Sequence, residues 1–160
     1  MYAHDFTATA RAASPPVRAG EDRLGERHGL GVSTVAFKHI DPHGGLLVLE
    51  NTFHAPGGPP RHRHMRQDEW FSVLDGEFAF EIGEESYVLR AGDSVLGPRR
   101  VPHVWACTSP SGRLLVVFSP AGQMESFFRE VSKTDAMPTV DRDLWHAHGM
   151  EVVGPPLELG

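Results

Sequence analysis

The sequence predicts an all-β domain, a small barrel or sandwich of two antiparallel sheets. Three observations predict it. The apolar runs are short and rich in β-branched and aromatic residues. They are punctuated often, by 17 glycines and 13 prolines in 160 residues. Several of them alternate apolar with polar positions, the period of a half-buried strand. The length suits one domain with a real core and little beyond it.

Residues 1–16 carry few large apolar side chains and end in Ser14-Pro15-Pro16. They read as an N-terminal arm, loose or laid on a partner, ahead of a folded domain at 17–160. Val32-Ser33-Thr34-Val35-Ala36-Phe37 alternates as a strand. Asp41 to Gly45 turns into a strand over 46–53, which puts Leu47, Leu49, Asn51 and Phe53 on one face. The rigid loop Ala55-Pro56-Gly57-Gly58-Pro59-Pro60 then delivers the chain to His62.

Trp70 to Leu74 is the next strand, and Asp75-Gly76 is the strongest hairpin signal in the chain. Short strands follow over 78–82, 87–89, 94–96, 103–107 and 114–118, about nine in all. Ser119-Pro120 then marks a helix start. Met124, Phe127, Phe128 and Val131 fall at helical spacing, which predicts a helix packed on the outside of the barrel. A second helix runs from Asp141 through Leu144 to His148, with Gly149 placed to cap it. Glu151-Val152-Val153 reads as a last edge strand.

Formal net charge is −6, which argues against a general nucleic-acid binder. Arg61, Arg63, Arg66, Arg99 and Arg100 cluster around the histidine-rich stretch. They are solvated loop charges or a lure for an anionic substrate. Cys107 is the only cysteine, so no disulfide forms within the chain, which fits a reducing compartment. The first residues lack a signal peptide's basic start and apolar run, and no segment is long and apolar enough to span a bilayer. The expectation is a soluble, cytoplasmic protein without a membrane partner.

The chemistry concentrates in Arg61-His62-Arg63-His64-Met65-Arg66-Gln67-Asp68-Glu69. Side chains two apart on a strand point the same way, so His62 and His64 can offer two imidazoles to one point. A carboxylate after a bend can return to it. Of the adjacent Asp68 and Glu69, only one can point inward. Choosing Glu69 also sends Phe71 and Val73 inward, the more apolar set. His103 lies downstream in Pro-Arg-Arg-Val-Pro-His-Val-Trp.

The spacing is His-x-His, four residues, Glu69, six residues, Gly76. Gly92 opens a second block: five residues separate it from Pro98, and four separate Pro98 from His103. These blocks, over 57–76 and 92–107, resemble the two motifs of single-domain cupins, G-x5-H-x-H-x(3 or 4)-E-x6-G and G-x5-P-x-G-x2-H-x3-N. Phe-Ser-Pro-Ala-Gly and Gly-Met-Glu-Val-Val-Gly-Pro-Pro-Leu near the C-terminus resemble tails of bacterial monocupins of the quercetin-dioxygenase-like kind. The resemblance extends over about four-fifths of the chain. Three positions depart from it: the opening glycine is displaced to Gly57, a glycine of the second motif is Arg100, and the closing asparagine is Cys107.

The resemblance implies a cupin jelly roll of two antiparallel sheets with two short C-terminal helices. It implies a metal held by His62, His64, Glu69 and His103. Three imidazoles and a carboxylate suit one divalent transition metal per chain: Fe, Mn, Ni, Co, Cu or Zn. An octahedral ion would keep two positions open for water, dioxygen or a chelating substrate. The remaining histidines, His4, His28, His39, His43, His54, His146 and His148, have no such context and are expected in surface or capping roles.

Asn51, Phe53, Phe71, Trp105 and Cys107 are candidate pocket residues, set against plain core roles for the aromatics. The function this implies is a metal-dependent oxygenase of a small organic substrate, a flavonol or another enolisable aromatic, with Glu69 able to loosen from the metal and take a proton. The rivals are a metal-dependent isomerase, cyclase or hydrolase, and a non-catalytic binder of a metal or small ligand. The resemblance also implies a homodimer.

Overall fold

A computed structural model describes residues 12–160. Residues 1–11 of the expected arm, with His4, lie outside the described residues, and 12–16 are exposed and carry no regular structure. The described residues form β1 (His28–Gly29), β2 (Ser33–Ile40), β3 (Leu47–Phe53), β4 (His62–His64), β5 (Asp68–Asp75), β6 (Glu77–Ile82), β7 (Glu85–Arg90), β8 (Ser94–Gly97), β9 (His103–Cys107), β10 (Gly112–Ser119), α1 (Met124–Val131), a 3-10 turn (Ser132–Thr134), α2 (Arg142–Ala147) and β11 (Met150–Val152).

Two antiparallel sheets result. The six-stranded sheet has the order β1-β2-β3-β10-β5-β8 and the five-stranded sheet β11-β4-β9-β6-β7. Their inner faces make the core, because alternation sends every second apolar side chain inward. In the first sheet the register sets Leu49 beside Val116 and Val116 beside Phe71, all buried. In the second it sets Phe78 beside Cys107 and Phe80 beside Trp105, also buried. No helix among the described residues is long and apolar enough to cross a membrane.

The strands expected from alternation are present, but their connections differ at Asp75-Gly76. That dipeptide does not close a hairpin. β5 pairs with β10 and β8, whereas β6 pairs with β7 and β9 in the other sheet. Gly76 has φ of 80°, and a Cβ there would stand 2.6 Å from the Ser111 carbonyl oxygen. The dipeptide specifies a left-handed residue in a crowded corner. A sheet-to-sheet crossing requires that as much as a hairpin does. The tight hairpin lies one strand later, at Gly83-Glu84 between β6 and β7.

Helix α1 starts at Met124, not at Ser119-Pro120. Ser119 is still paired with Asp68 in the sheet, and the Pro120 and Ala121 carbonyls accept from the Gln67 side chain, so the chain leaves β10 before it turns into the helix. Met124, Phe127, Phe128 and Val131 are buried as their spacing predicts. They do not pack on the outside of the barrel; the first three line a cavity at its mouth. A two-sheet barrel leaves its end rows of apolar side chains uncovered, and α1 and α2 close that end. The Asp141 side chain caps α2 by accepting from the Leu144 N–H at 3.1 Å, and Trp145 is the residue α2 buries.

His28 is also corrected. It is buried, with Nε2 3.6 Å from Asp22 Oδ2 and its ring against Phe37. His43, His54 and His146 are exposed, His39 is half-buried, and half-buried His148 ends α2 with Nδ1 2.8 Å from the Leu144 carbonyl oxygen.

Candidate metal centre

Four side chains from three strands converge inside the mouth of the barrel. β4 contributes His62 and His64, two apart and therefore on one face. β9 contributes His103, directly opposite His62 in register. β5, from the other sheet, contributes Glu69, while Asp68 points out to Arg99. The apolar choice between the two carboxylates therefore holds: Phe71 and Val73 are buried with Glu69, and Trp70 and Leu74 are exposed.

One ligand atom from each of His62, His64, Glu69 and His103 lies within 4.8 Å of all the others, and all four residues are buried. Glu69 Oε2 is 3.0 Å from His64 Nε2 and 2.9 Å from His103 Nε2. Yet none of these three atoms has an aligned hydrogen-bond partner. Atoms so placed converge on a common point rather than on each other, and buried polar atoms left unpaired are costly. This donor set, three imidazoles and one carboxylate, fits a divalent first-row metal.

Two of the three far ring nitrogens are engaged as in metal-binding histidines, while His103 Nδ1 is buried without a partner. His62 Nδ1 is 2.7 Å from the Pro60 carbonyl oxygen, and His64 Nδ1 is 2.9 Å from Gln67 Oε1. Each of these Nδ1 atoms donates, which leaves Nε2 as the lone-pair atom. Gln67 is itself fixed, its Nε2 donating to the Pro120 and Ala121 carbonyls at 3.0 and 2.8 Å. A Gln67→Leu change should therefore weaken metal affinity about 10–100-fold in a chelator competition, with the fold intact. Gln67→Glu keeps the acceptor but sets a carboxylate oxygen against the Pro120 and Ala121 carbonyls, and should not restore the loss.

Electrostatics divide the cluster. Burial pushes the Glu69 carboxyl up, but His64 and His103 beside it hold it well below the ordinary carboxylate range. Burial also opposes charge on His64, yet Glu69 and Gln67 raise its pKa. His62 is driven well below its ordinary value, by burial first and then by His103 and His64. The site is thus an ionised carboxylate with a neutral His62, the protonation state that a metal needs at both positions.

The surrounding arginines do not make an open basic patch. Arg61 pairs with Glu81, Arg63 with Glu151 and Arg99 with Asp68. Arg100, in place of the motif glycine, has φ of 68°. Its N–H donates to the His64 carbonyl at 2.7 Å, which ties the loop before His103 to the His64 strand. A left-handed arginine is strained by roughly 1–2 kcal/mol, so the glycine's conformation is kept although the glycine is not.

The cluster opens into a cavity of about 30 Å³, lined by Asn51, Pro59, Trp105, Phe118, Trp145 and Met150 among others. That is room for about two waters. Of the pocket candidates, Asn51 and Trp105 line it. Phe53 lines an adjoining cavity of about 20 Å³, together with Asn51 and Trp105. Phe71 lies beneath His103, its ring 5.9 Å away, and Cys107 is buried at the far end of β9 near Phe78 and Ser109; neither lines these cavities. The sequence does not mark Gln67, Met137 or Trp145 as site residues. Helical spacing marks a buried face without saying what that face covers.

Residues 52–118 match the profile of the Cupin_2 family, described as a cupin domain. The segment contains His62, His64, Glu69 and His103. No curated protein sequence matches the chain. Among solved structures, KdgF from Halomonas sp. is similar with a TM-score of 0.59 at 22% identity, over 68% of this chain and 94% of that one. An RmlC-like cupin from Shewanella frigidimarina gives 0.53 at 26% identity, over 62% and 87%. Pac13, a nucleoside dehydratase, gives 0.58 at 13% identity, over 91% and 95%. The matched segment, the two-sheet topology and these neighbours agree on a cupin domain over residues 52–118.

Proposed function

We propose that the protein is a metal-dependent enzyme of the oxygenase type, acting on a small enolisable organic substrate. The observation that carries this is the convergence of four buried ligand atoms at the inner end of a mostly apolar cavity. His62, His64, Glu69 and His103 hold one divalent ion per chain. Bound there, such an ion supplies a Lewis-acid or redox centre with positions open to a small ligand. The protein's own residues do the rest. Glu69, ionised between two imidazoles, is the group able to accept a proton from a bound substrate. Trp145, Met124 and Phe127 exclude water above it.

Neither a flavonol nor a β-diketone fits a space of about 30 Å³, so binding of either requires the helical cover to move. Oxygen uptake by protein loaded in turn with Fe, Mn, Ni, Co or Cu, against a panel of β-diketones and flavonols, tests the reading. Consumption of about one O₂ per substrate turned over is expected. No uptake with any of these metals would sink the oxygenase reading for that panel.

A second reading keeps the metal and dispenses with oxygen. The ionised Glu69 needs no oxidant to move a proton, which favours isomerase, cyclase or hydrolase chemistry at the same site. Turnover of an enolisable substrate under nitrogen distinguishes it.

We also infer a homodimer, from the family resemblance and from exposed apolar side chains on the outer face of the six-stranded sheet. Trp70, Leu74 and Leu96 are each more than a third exposed there, and Trp70 pairs with Leu96 in register. Light scattering should return twice the chain mass of 17.6 kDa; a monomer would refute it.

A further inference from the structure

Two polar atoms in the cavity wall have no role in holding a metal and no partner in the protein. Trp105 Nε1 and Asn51 Oδ1 are both buried without a hydrogen bond, and each residue is only 5% exposed. Trp105 cannot turn away to find a partner. Its indole is packed against Phe53, Phe71, Phe78 and Phe80, with ring centroids 5.7 to 6.3 Å away. Asn51 is held on the central strand β3 between β2 and β10.

We propose that Asn51 and Trp105 are the specificity pair of this site, and that they select a substrate bearing a hydroxyl or enol oxygen on a compact apolar body. An indole N–H only donates, and Asn51 Oδ1 only accepts. A hydroxyl serves both at once, accepting from Trp105 and donating to Asn51. With the Asn51 amide turned over, the same oxygen accepts from both. An apolar analogue entering the site would leave both groups unpaired, and that is the arrangement that discriminates most sharply.

The pair stands where the two cavities meet. Asn51, Trp105, Pro59 and Met137 line both of them. Met137 is half-buried and lies in the irregular segment between the 3-10 turn and α2. An unbranched thioether on such a segment is the easiest wall to displace. Met137 is a wall shared by both cavities, and trimming it enlarges the space beside the pair.

This rests on the proposed function, since it assigns the substrate of the same site, but its test separates the two. Phenol and toluene have nearly the same shape and differ in the hydroxyl. Their binding would be measured by calorimetry to zinc-loaded and to metal-stripped protein, in the parent chain and in Met137→Ala. Phenol is expected to bind roughly 30–100-fold more tightly than toluene in Met137→Ala, with or without zinc. Adding Trp105→Phe or Asn51→Leu should each remove at least about ten-fold of that preference and leave toluene binding and zinc content unchanged. If Trp105→Phe fails to fold by circular dichroism, Asn51→Leu alone decides. Equal binding of the two probes, or a preference lost on stripping zinc and untouched by both variants, would overturn the proposal and leave the metal reading standing. A preference that persists in a protein unable to hold zinc would refute the metal reading and uphold the pair.

Discussion

Replacing His62 and His103 together with alanine is expected to abolish metal binding. The two imidazoles come from different strands and meet at one register position, so their loss removes half the donor set and leaves His64 with Glu69. An outer hydrogen-bond partner of a metal ligand is worth about 10–100-fold in affinity. Two direct ligands should together exceed roughly 10⁴-fold. The measurement is metal content after purification and dialysis against a weak chelator, compared with the parent protein. Stoichiometric metal retained by the double variant would refute the ligand set. The fold should persist, since both rings lie at the barrel mouth rather than in the aromatic layer around Phe71, Phe78 and Phe80.

Trp145→Ala should be the most destabilising single change in the helical cover. The indole is 2% exposed. It packs on the His62 ring at 4.8 Å and the Phe127 ring at 4.9 Å, and its N–H donates to the Pro138 carbonyl at 2.8 Å. Truncating a buried tryptophan costs about 3–5 kcal/mol, which for a chain of this size lowers Tm by roughly 6–20 °C. Denaturant unfolding of the metal-free protein measures it. Trp145→Phe keeps most of the packing and forfeits the hydrogen bond, and should cost about 1–2 kcal/mol. A loss under about 1 kcal/mol for the alanine variant would mean that α2 does not close the barrel.

The strands and the shared face of His62 and His64 are legible in the sequence for the same reason. Alternation has a period of two, and it reports both which residues of a strand are buried and which histidines share a face. Leu47, Leu49, Asn51 and Phe53 face inward as expected, and Glu69 is separated from Asp68 by the company it keeps. What strands pair with is a long-range matter that alternation does not encode. Asp75-Gly76 shows this, for its chemistry fixes a backbone conformation and leaves the next strand's sheet open. The cover was hidden for a related reason. The spacing of Met124, Phe127 and Phe128 marks a buried face, but whether that face meets the barrel's flank or its mouth depends on where β10 ends. Gln67 is not legible in the sequence because its place is set by contacts 53 and 54 residues away along the chain.

The short strand β4 depends on a distant part of the chain. Of its two neighbours, β9 meets it at a single register pair, while β11 meets all three of its residues, Met150 opposite His64 and Val152 opposite His62. The strand that carries His62 and His64 is therefore held mainly by a segment 86 to 90 residues further along the chain. Fraying of β11 would loosen that strand while the other pairings of both sheets stay in place, so the geometry of the cluster depends on a segment that contributes none of its four side chains.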